Sequence, residues 1–578
     1  MFLNNILIAV VIFSLQSRPV VTLEDFGGNP DGITDNGPAL MSAFAYAKVH
    51  PGTTLRLGGV CRVTTPQTTD GPFSMAAGAA GVTNLTIEGG EIILGGPFGA
   101  FSFKRCPGLT LRNVIFDYDP PILSQGAILS SVRTNRTMVV QPDPGYPSPG
   151  PELFSVSDNT WVTVHKPGGE YGYFFVGYIT NAVNGANGQV TLSHYRADLA
   201  QVLEGAADWR YVRVQRGLGH LNVFSFCDNL RIEGCSIYSA SAFAALFKFC
   251  NDVVLRGNRI CPREGSGQMV ATCADGFHFI GSRRGPLIEN NFFDRLQDDN
   301  IVISLRGNKV KSANGAQLEL GDANPAWYEA GDTIEVVEVE TGTRREYTIM
   351  AMAPQVYLWH PPVMTLDRPL EGKIVTTATV DTNALPTLVF NKSWRLDGTL
   401  VRSNVFQNTR RYAVFMGAGG VRIENNVMSN HTSSAILCSY IGTLKNQPND
   451  LIYYFSSDIL IRSNTLVNAL NYGEGGRVFT RPLGAIDMYD KARDAIGIGS
   501  LRLPQRISIQ DNRIVNSGSA GIRMANASVV TLSGNTIVDP NRQIQSNYYG
   551  ISIEASDVSL SNNLFSGSNI VEEVHQVP

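Results

Sequence analysis

One pattern, apolar-x-apolar-x-x-Asn-x-apolar, recurs along most of this chain. In its most regular stretches the asparagines fall 22 or 23 residues apart, as from Asn404 to Asn426 and from Asn512 to Asn535. A period in the low twenties with two or three short strands per repeat is typical of a stacked solenoid. Because the Leu-x-x-Leu-x-Leu frame of leucine-rich repeats is missing, the repeat predicts an all-β fold, a right-handed parallel β-helix.

The repeat also predicts where its side chains point. Asn at a turn tolerates the left-handed backbone conformation, and Asn side chains in successive coils can stack as an amide ladder. The apolar positions are expected to point inward, so that each coil buries its apolar surface against its neighbours. The cysteines that share one slot of the repeat are expected to be small buried stacking residues rather than disulfides. The expected inward residues are Leu255, Ile288, Phe293, Ile423, Ile461 and Ile509, and the stacked cysteines are Cys106, Cys227 and Cys250.

Two stretches interrupt the repeat. Residues 121–220 and 306–395 contain strand-like runs separated by Pro and Gly turns, which predicts two small antiparallel β-subdomains inserted into the helix. The remaining chain is expected to form an N-terminal cap with the first coils in 19–120, the central coils in 221–305 and the C-terminal coils in 396–578. Insertions of this size on one face are expected to wall a binding groove.

The N-terminus carries two further signals. Residues 6–15 form an apolar run with the length of a signal-peptide core, too short to span a bilayer. Residues 1–18 are therefore expected to be a signal peptide of a secreted or periplasmic protein, the alternative being a buried first strand or capping helix. Residues 21–27, followed by a helix-like segment at 38–49, resemble the capping start of pectate-lyase-like β-helices.

Composition narrows the choice of partner. The net charge of −4 and the absence of Lys or Arg runs offer no basic face for nucleic acid. Eight cysteines include no CxxC pair and no Cys/His cluster at zinc spacing. No other stretch reaches the length of a membrane span. A neutral or polar ligand, an oligosaccharide or polysaccharide, is the expected partner, and neither a cofactor nor a metal is expected.

Three aspartates carry the chemistry. Asp275 precedes the Asp298-Asp299 pair by 23 residues, or one coil, so the three carboxylates are expected on adjacent rungs at the same edge. Like charges this close raise at least one pKa, which provides a general acid at neutral pH while a partner stays ionised as base. Glycoside hydrolysis needs that division of roles. The alternatives are a calcium site or solvated turn aspartates with no function.

The aspartate spacing, with residues 233–240 (EGCSIYSA) upstream, resembles glycoside hydrolase family 110, the inverting α-1,3-galactosidases. The two insertions and the order of residues 331–334, 408–411 and 424–426 extend the resemblance over roughly residues 20–570. It implies exo-acting removal of terminal α-linked, α-1,3 galactose with inversion and without a cofactor. By position, Asp275, Asp298 and Asp299 correspond to the essential aspartates of the family.

The three aspartates are expected to divide the roles of acid and base. Asp298 is expected to be the general acid because its two carboxylate neighbours would keep it protonated. Asp275 and Asp299 would then hold and deprotonate the water, an assignment taken partly from the polygalacturonase pattern.

Five further residues are candidates for substrate binding. His278 alternates with two phenylalanines and is expected to point outward into the groove, and Arg410 or Arg411 follows Asn404 by the interval that separates Asp298 from Asn291. An Arg there could bind sugar hydroxyls or keep a carboxylate ionised. The alternative is that the Arg is a solvent-exposed strand residue with no role in the site. Trp327 and Trp394, like Trp359 nearby, could stack on a sugar ring or belong to the core.

Three other functions remain open. A polygalacturonase-like hydrolase also has Asp followed by Asp-Asp, but its Gly-His-Gly and Arg-Ile-Lys segments are missing downstream. A polysaccharide lyase would need a calcium cluster or a basic groove, which the net charge does not favour. A non-catalytic β-helix could use the same scaffold to bind glycans.

Overall fold

The computed structural model describes residues 19–577 except 133, 151–160, 166–172, 195–208, 215–218, 322–325, 353, 355–362, 378–385, 441–451, 472–482, 491–503, 544–548 and 555. The expected signal peptide, residues 1–18, lies outside the described residues. Within the described part of the chain, no helix is long and apolar enough to cross a membrane.

Three long sheets run the length of the molecule, because each regular coil contributes one short strand to each. Apart from the antiparallel pair that opens the third sheet, neighbouring strands are parallel. The predicted parallel β-helix is thus confirmed. The first sheet contains Val20–Thr22, Thr54–Arg56, Thr86–Glu88, Thr110–Arg112, Arg231–Glu233, Val254–Arg256, Leu287–Glu289, Leu400–Arg402, Arg422–Glu424, Ser457–Arg462, Gln505–Gln510, Ser528–Ser533 and Val558–Ser561. The second contains Val60–Val63, Glu91–Leu94, Ile115–Tyr118, Ser236–Ile237, Arg259–Ile260, Phe292–Asp294, Val405–Gln407, Val427–Ser429, Thr465–Val467, Arg513–Val515, Thr536–Val538 and Leu564–Ser566. The third contains Thr68–Asp70, Phe73–Ala80, Gly99–Lys104, Asn222–Ser225, Ala245–Lys248, Phe277–Ile280, Ile301–Ser304, Val414–Gly417, Ile436–Tyr440, Gly484–Asp490, Ala520–Ala525, Tyr549–Glu554 and Glu572–Val577.

A helix covers the N-terminal end of the coils. It spans Gly37–Val49, with a proline in its first turn, where the missing amide hydrogen breaks no helical bond. Its buried side chain Phe44 packs on Phe101 and Phe103, at ring-centroid distances of 5.8 and 5.2 Å. The predicted capping helix is confirmed, and it shields the open end of the apolar core. Short 3-10 turns lie at Glu24–Phe26, Ala186–Gly188 and Lys392–Trp394.

Two closed antiparallel barrels of six strands each are inserted into the helix, which confirms the predicted β-subdomains. The first leaves the helix after the second-sheet strand Ile115–Tyr118, and the second after the third-sheet strand Ile301–Ser304. Each has its own buried apolar cluster. The first barrel is built from Leu123–Val132, Thr137–Pro142, Trp161–His165, Tyr173–Asn184, Val190–His194 and Arg210–Val214. The second is built from Gly307–Asn314, Gln317–Leu320, Thr333–Glu338, Thr343–Met352, Met364–Leu366 and Leu388–Asn391.

An asparagine ladder runs along the helix axis, as predicted. Each amide nitrogen Nδ2 donates to the Oδ1 of the next asparagine at 2.9–3.0 Å. The left-handed backbone conformation is adopted by the residue before each ladder asparagine, such as Asn290 or Ser403. The expectation that the same asparagine both adopts this conformation and stacks its side chain is therefore wrong for this ladder. A second column, Asn408, Asn430 and Asn468, does combine both. The axial ladder comprises Asn258, Asn291, Asn404, Asn426, Asn464, Asn512, Asn535 and Asn563.

The core follows the repeat. All six residues expected to point inward are at most 1% exposed. All eight cysteines are buried and free. The three cysteines of one slot stack: the backbone N–H of Cys106 donates to Cys227 Sγ at 3.4 Å, and that of Cys227 donates to Cys250 Sγ at 3.3 Å. The prediction of stacked thiols rather than disulfides is confirmed.

Candidate active site

The register of the third sheet brings two aspartates together. Phe277 pairs with Ile301 in the neighbouring strand, and Asp275 and Asp299 each stand two residues before these partners. The backbone N–H of Asp299 donates to Asp275 Oδ1 at 3.3 Å. The interval of one coil therefore places the two side chains on adjacent rungs, as the sequence predicts.

Asp298 completes the trio. One oxygen from each of Asp275, Asp298 and Asp299 lies within 4.8 Å of the other two, and all three residues are buried. We call these three residues the acid cluster. Arg411 lies one rung further along: its Nη1 donates to Asp298 Oδ1 at 2.8 Å, and its Nε lies 3.7 Å from Asp299 Oδ1. Arg411 is thus the arginine that faces the carboxylates.

Burial raises the pKa of Asp299 well above its ordinary value, and the charges of Asp298 and Asp275 act in the same direction. Arg411 and the backbone N–H of Tyr412 oppose the rise without cancelling it. The sequence argument gave the proton to Asp298 because it has two carboxylate neighbours. Since Arg411 contacts Asp298 more closely than Asp299, that argument applies better to Asp299.

His278 lies on the outer face of its strand and is buried against the acid cluster. Its Nδ1 is 2.7 Å from Asp275 Oδ2, and its ring stacks on Phe243 at 4.6 Å. Burial lowers the pKa of His278 well below its ordinary value, and the positive charge of Arg306 lowers it further, against the opposing charge of Asp298. A neutral imidazole whose Nδ1–H donates to Asp275 fits this environment and leaves Nε2 as an acceptor.

Two residues not found from the sequence, Arg306 and Tyr453, lie close enough to His278 and the acid cluster to interact with them electrostatically. The guanidinium of Arg306 lies over the Tyr453 ring, with Cζ 3.8 Å from the centroid. Tyr453 packs in an outer apolar cluster with Val302, Tyr412, Phe415 and Leu437. Burial raises the pKa of Tyr453; the charge of Arg306 and its hydrogen bond with Tyr453 oppose the rise, and the charges of Asp275 and Asp299 add to it. The position of Tyr412 could have been predicted from the repeat, because Tyr412 stands two residues before Val414, as Asp299 stands two residues before Ile301, the partner of Val414.

Both inserted barrels contact the site. Gln297, next to Asp298, donates from Nε2 to the hydroxyl of Thr163 in the first barrel at 3.0 Å. Arg306 immediately precedes Gly307–Asn314, the first strand of the second barrel. The acid cluster therefore lies between elements that belong to the two insertions.

The tryptophans predicted to stack on sugar lie at the opposite end of the third-sheet strands. Trp394 is 4% exposed and packs edge-on against Phe249 at 5.3 Å. Trp327 packs on Phe226 at 4.7 Å and donates to Glu329. Both tryptophans therefore pack against the core, as in the alternative interpretation, because Phe226 and Phe249 in the turns after Asn222–Ser225 and Ala245–Lys248 contact them. Trp359 lies outside the described residues.

Arg410 is buried beside Arg411, with its backbone N–H donating to the carbonyl of Leu296 at 3.1 Å. His431 supports the neighbouring turn, with Nδ1 3.3 Å from the Arg411 carbonyl. Burial lowers the pKa of His431 to about 4. A neutral His431 can therefore hold the backbone that carries Arg411.

Three carboxylate oxygens this close would also suit a hard cation such as Ca²⁺. Here Asp275 Oδ2 is engaged by His278, and Asp298 is engaged by the positive guanidinium of Arg411. A cation would have to compete with that guanidinium for the same oxygen. The arrangement is better suited to holding and moving a proton.

Comparison with known proteins gives distant relatives. No protein-family model matches the chain. An α-1,3-galactosidase B of Bacteroides thetaiotaomicron is 21% identical over 322 residues, which cover 50% of this chain and only about half, 51%, of that protein. An α-1,3-galactosidase A of Shewanella woodyi is 21% identical over 457 residues, 72% of each chain. Among solved structures, the catalytic unit of a GH87 α-1,3-glucanase from Streptomyces thermodiastaticus is 12% identical, with a TM-score of 0.46 over 97% of this chain and 66% of that chain.

Proposed function

We propose that this protein is an exo-acting glycoside hydrolase that removes terminal α-linked galactose, in α-1,3 linkage, from glycans. The observation that carries the proposal is the acid cluster, three buried carboxylates of which at least one has a raised pKa. A protonated and an ionised carboxyl side by side supply the acid and the base that hydrolysis of a glycosidic bond requires. The choice of galactose rests on the names of the distant relatives and on the family resemblance.

The proposal assigns the proton of the free site to Asp299 and the negative charges to Asp275 and Asp298. Asp299 would protonate the leaving oxygen, while the ionised pair would orient and deprotonate the attacking water. Arg411 would keep Asp298 ionised, and His278 would hold Asp275 in place through their 2.7 Å contact. Each of these groups acts without a cofactor.

Inversion of configuration is part of the proposal. Most inverting enzymes separate their two carboxyl groups by about 6.5–9.5 Å, whereas the acid cluster holds its oxygens within 4.8 Å. A third carboxylate changes that requirement, because two of the three can bind the water while the remaining one serves the leaving group. The anomer released first is therefore the property to measure.

Exo action is supported by the two insertions. The contact of Gln297 with the first barrel and the position of Arg306 at the start of the second place an element of each insertion beside the acid cluster. A site bounded in this way favours the end of a glycan over its interior.

A panel of aryl α- and β-galactosides, followed by α-1,3-galactosyl oligosaccharides, tests the function. Wild-type protein should release galactose from the α-linked substrates, with activity unchanged by a chelator. Asn in place of Asp275, Asp298 or Asp299 should lower kcat by about 10²-fold or more, with the circular-dichroism spectrum retained. An unsaturated product absorbing in the ultraviolet would identify a lyase instead. Glycan binding without turnover would identify a binding protein, and full activity in all three variants would move the active site elsewhere.

A further inference from the structure

Arg306 keeps unused hydrogen-bond donors beside the acid cluster. Its residue surface is 5% exposed, and its Nε and Nη1 have no hydrogen-bond partner among the residues that the structure describes. Arg306 stacks over the Tyr453 ring and also hydrogen-bonds with the Tyr453 side chain, which fixes the guanidinium but leaves Nε and Nη1 unused. Buried charged groups normally have their hydrogen bonds satisfied. These donors therefore indicate a ligand.

His278 presents the complementary group. Its Nδ1 is engaged by Asp275, whereas its buried Nε2 has no partner within the described part of the chain. In the neutral imidazole this nitrogen is an acceptor. His278 pairs with Val302, which packs in the same outer cluster as Tyr453, the ring that Arg306 covers. The charge of Arg306 also acts on His278. The site thus offers donors and an acceptor in one place, and a hydroxyl group satisfies both because it accepts one hydrogen bond and donates another.

The negative charge of the acid cluster argues against an anionic ligand. With one proton on the acid cluster, two carboxylates stay ionised, and the guanidinium of Arg411 already contacts Asp298. A carboxylate entering this buried site would lie beside those negative charges at a high desolvation cost. It would also face the lone pair of His278 Nε2, which repels an acceptor.

We propose that Arg306 and His278 jointly bind the C6 hydroxyl group of a neutral hexose, the position at which a uronic acid carries its carboxylate, and that this pair makes the site select neutral hexoses over uronic acids. The inference rests on the proposed glycosidase function of the same site and adds the residues that recognise its sugar. Both residues touch substrate in this account. Arg306 donates to the hydroxyl oxygen, and the hydroxyl proton is donated to His278 Nε2.

Calorimetric titration of the full chain with four sugars tests this selection: galactose, galacturonic acid, glucose and glucuronic acid. The neutral member of a pair should bind about 10- to 100-fold more tightly than its acid, the usual worth of a hydrogen bond to a charged group. If only the gluco pair shows this preference, the galactosidase proposal fails and the present inference stands. Equal or tighter binding of the uronic acids, or no binding of any of the four sugars, would overturn it.

The monodeoxygalactoses locate the hydroxyl. 6-Deoxygalactose should bind the wild-type protein about 10-fold or more weakly than galactose, the other deoxy positions should not need the pair, and Arg306→Met and His278→Phe should both abolish sensitivity to the C6 position. His278→Gln, which keeps an acceptor, should recover part of it. Arg368→Met is the matched control, because Arg368 lies over Tyr347 at 4.4 Å in the second barrel and should leave the pattern unchanged. Loss of sensitivity at two different hydroxyls in the two variants would contradict shared recognition.

Discussion

Replacing one asparagine of the axial ladder measures what the ladder contributes. Asn404 is buried; its Oδ1 accepts from the backbone N–H of Asn291 at 2.9 Å, and its Nδ2 donates to the Ile288 carbonyl at 3.0 Å. Asn404→Ala leaves the buried N–H of Asn291 without its partner and removes one hydrogen bond from the Ile288 carbonyl, which keeps its place in the strand pairing with Leu400–Arg402. The orphaned N–H costs about 1–3 kcal/mol and the lost carbonyl bond about 0.5–1.5 kcal/mol, so the free energy of unfolding should fall by about 1.5–4.5 kcal/mol.

Urea unfolding followed by circular dichroism measures this loss, with Asn563→Ala as the matched control. Asn563 makes the same contacts, accepting from Asn535 and donating to Leu532, but it ends the ladder and is only half-buried. Because water can replace its contacts, the control should lose about 1 kcal/mol. Equal losses in the two variants, or a loss below about 0.5 kcal/mol for Asn404→Ala, would refute the reasoning that burial makes the ladder necessary.

Four further predictions, on three residues, concern stability and proton transfer. Asp299→Asn should lower turnover, but its Tm at pH 7 in scanning calorimetry should be no lower than that of the wild type. A pKa that folding raises means that ionising Asp299 destabilises the native state, and Asn cannot ionise. A clear drop in Tm would contradict this. Asp299→Asn should also retain at least 10-fold more of its activity on an aryl galactoside with an acidic leaving group than on an alkyl galactoside, and equal losses would show that Asp299 is not the acid. Folding lowers the pKa of His431 to about 4, so between pH 6.5 and 4 the unfolded chain binds a proton that the folded chain does not. The free energy of unfolding should therefore fall by about 1.4 kcal/mol for each pH unit below about 6.5. His431→Gln should lack this pH dependence in its urea midpoints, and an identical dependence in the variant and the wild type would contradict the assignment. Ile288→Ala should cost about 2–5 kcal/mol, and a negligible shift in midpoint would show that the inward register is wrong.

The repeat made most of the fold predictable. A side chain such as Ile288 points inward because its coil position dictates it, and the interval from Asn404 to Asn426 is one turn of the helix. The two insertions were predictable because their strand-like runs lack the repeat, but sequence alone gave no reason for each to close into a six-stranded barrel. Strand closure depends on pairings between distant residues, which no local pattern records.

The acid cluster was predictable for the same reason as the core. Asp275 and Asp299 occupy one slot of consecutive coils, and Arg411 occupies the slot of Asp298 in the next. Arg306 and Tyr453 were not predictable, because both lie in connections outside the regular coils and are brought together by an isolated antiparallel bridge. The choice between Asp298 and Asp299 as the protonated group likewise depended on the unequal distances to Arg411, which spacing cannot provide.

Proton NMR of the first sugar released tests the central claim most directly. Wild-type protein acting on an α-1,3-galactosyl oligosaccharide should produce the β-anomer of galactose before mutarotation, since one water attacks opposite the leaving group that the acid cluster protonates. Asp299→Asn should remove this signal under the same conditions. Release of the α-anomer first, or no release of galactose by the wild-type protein, would contradict the account.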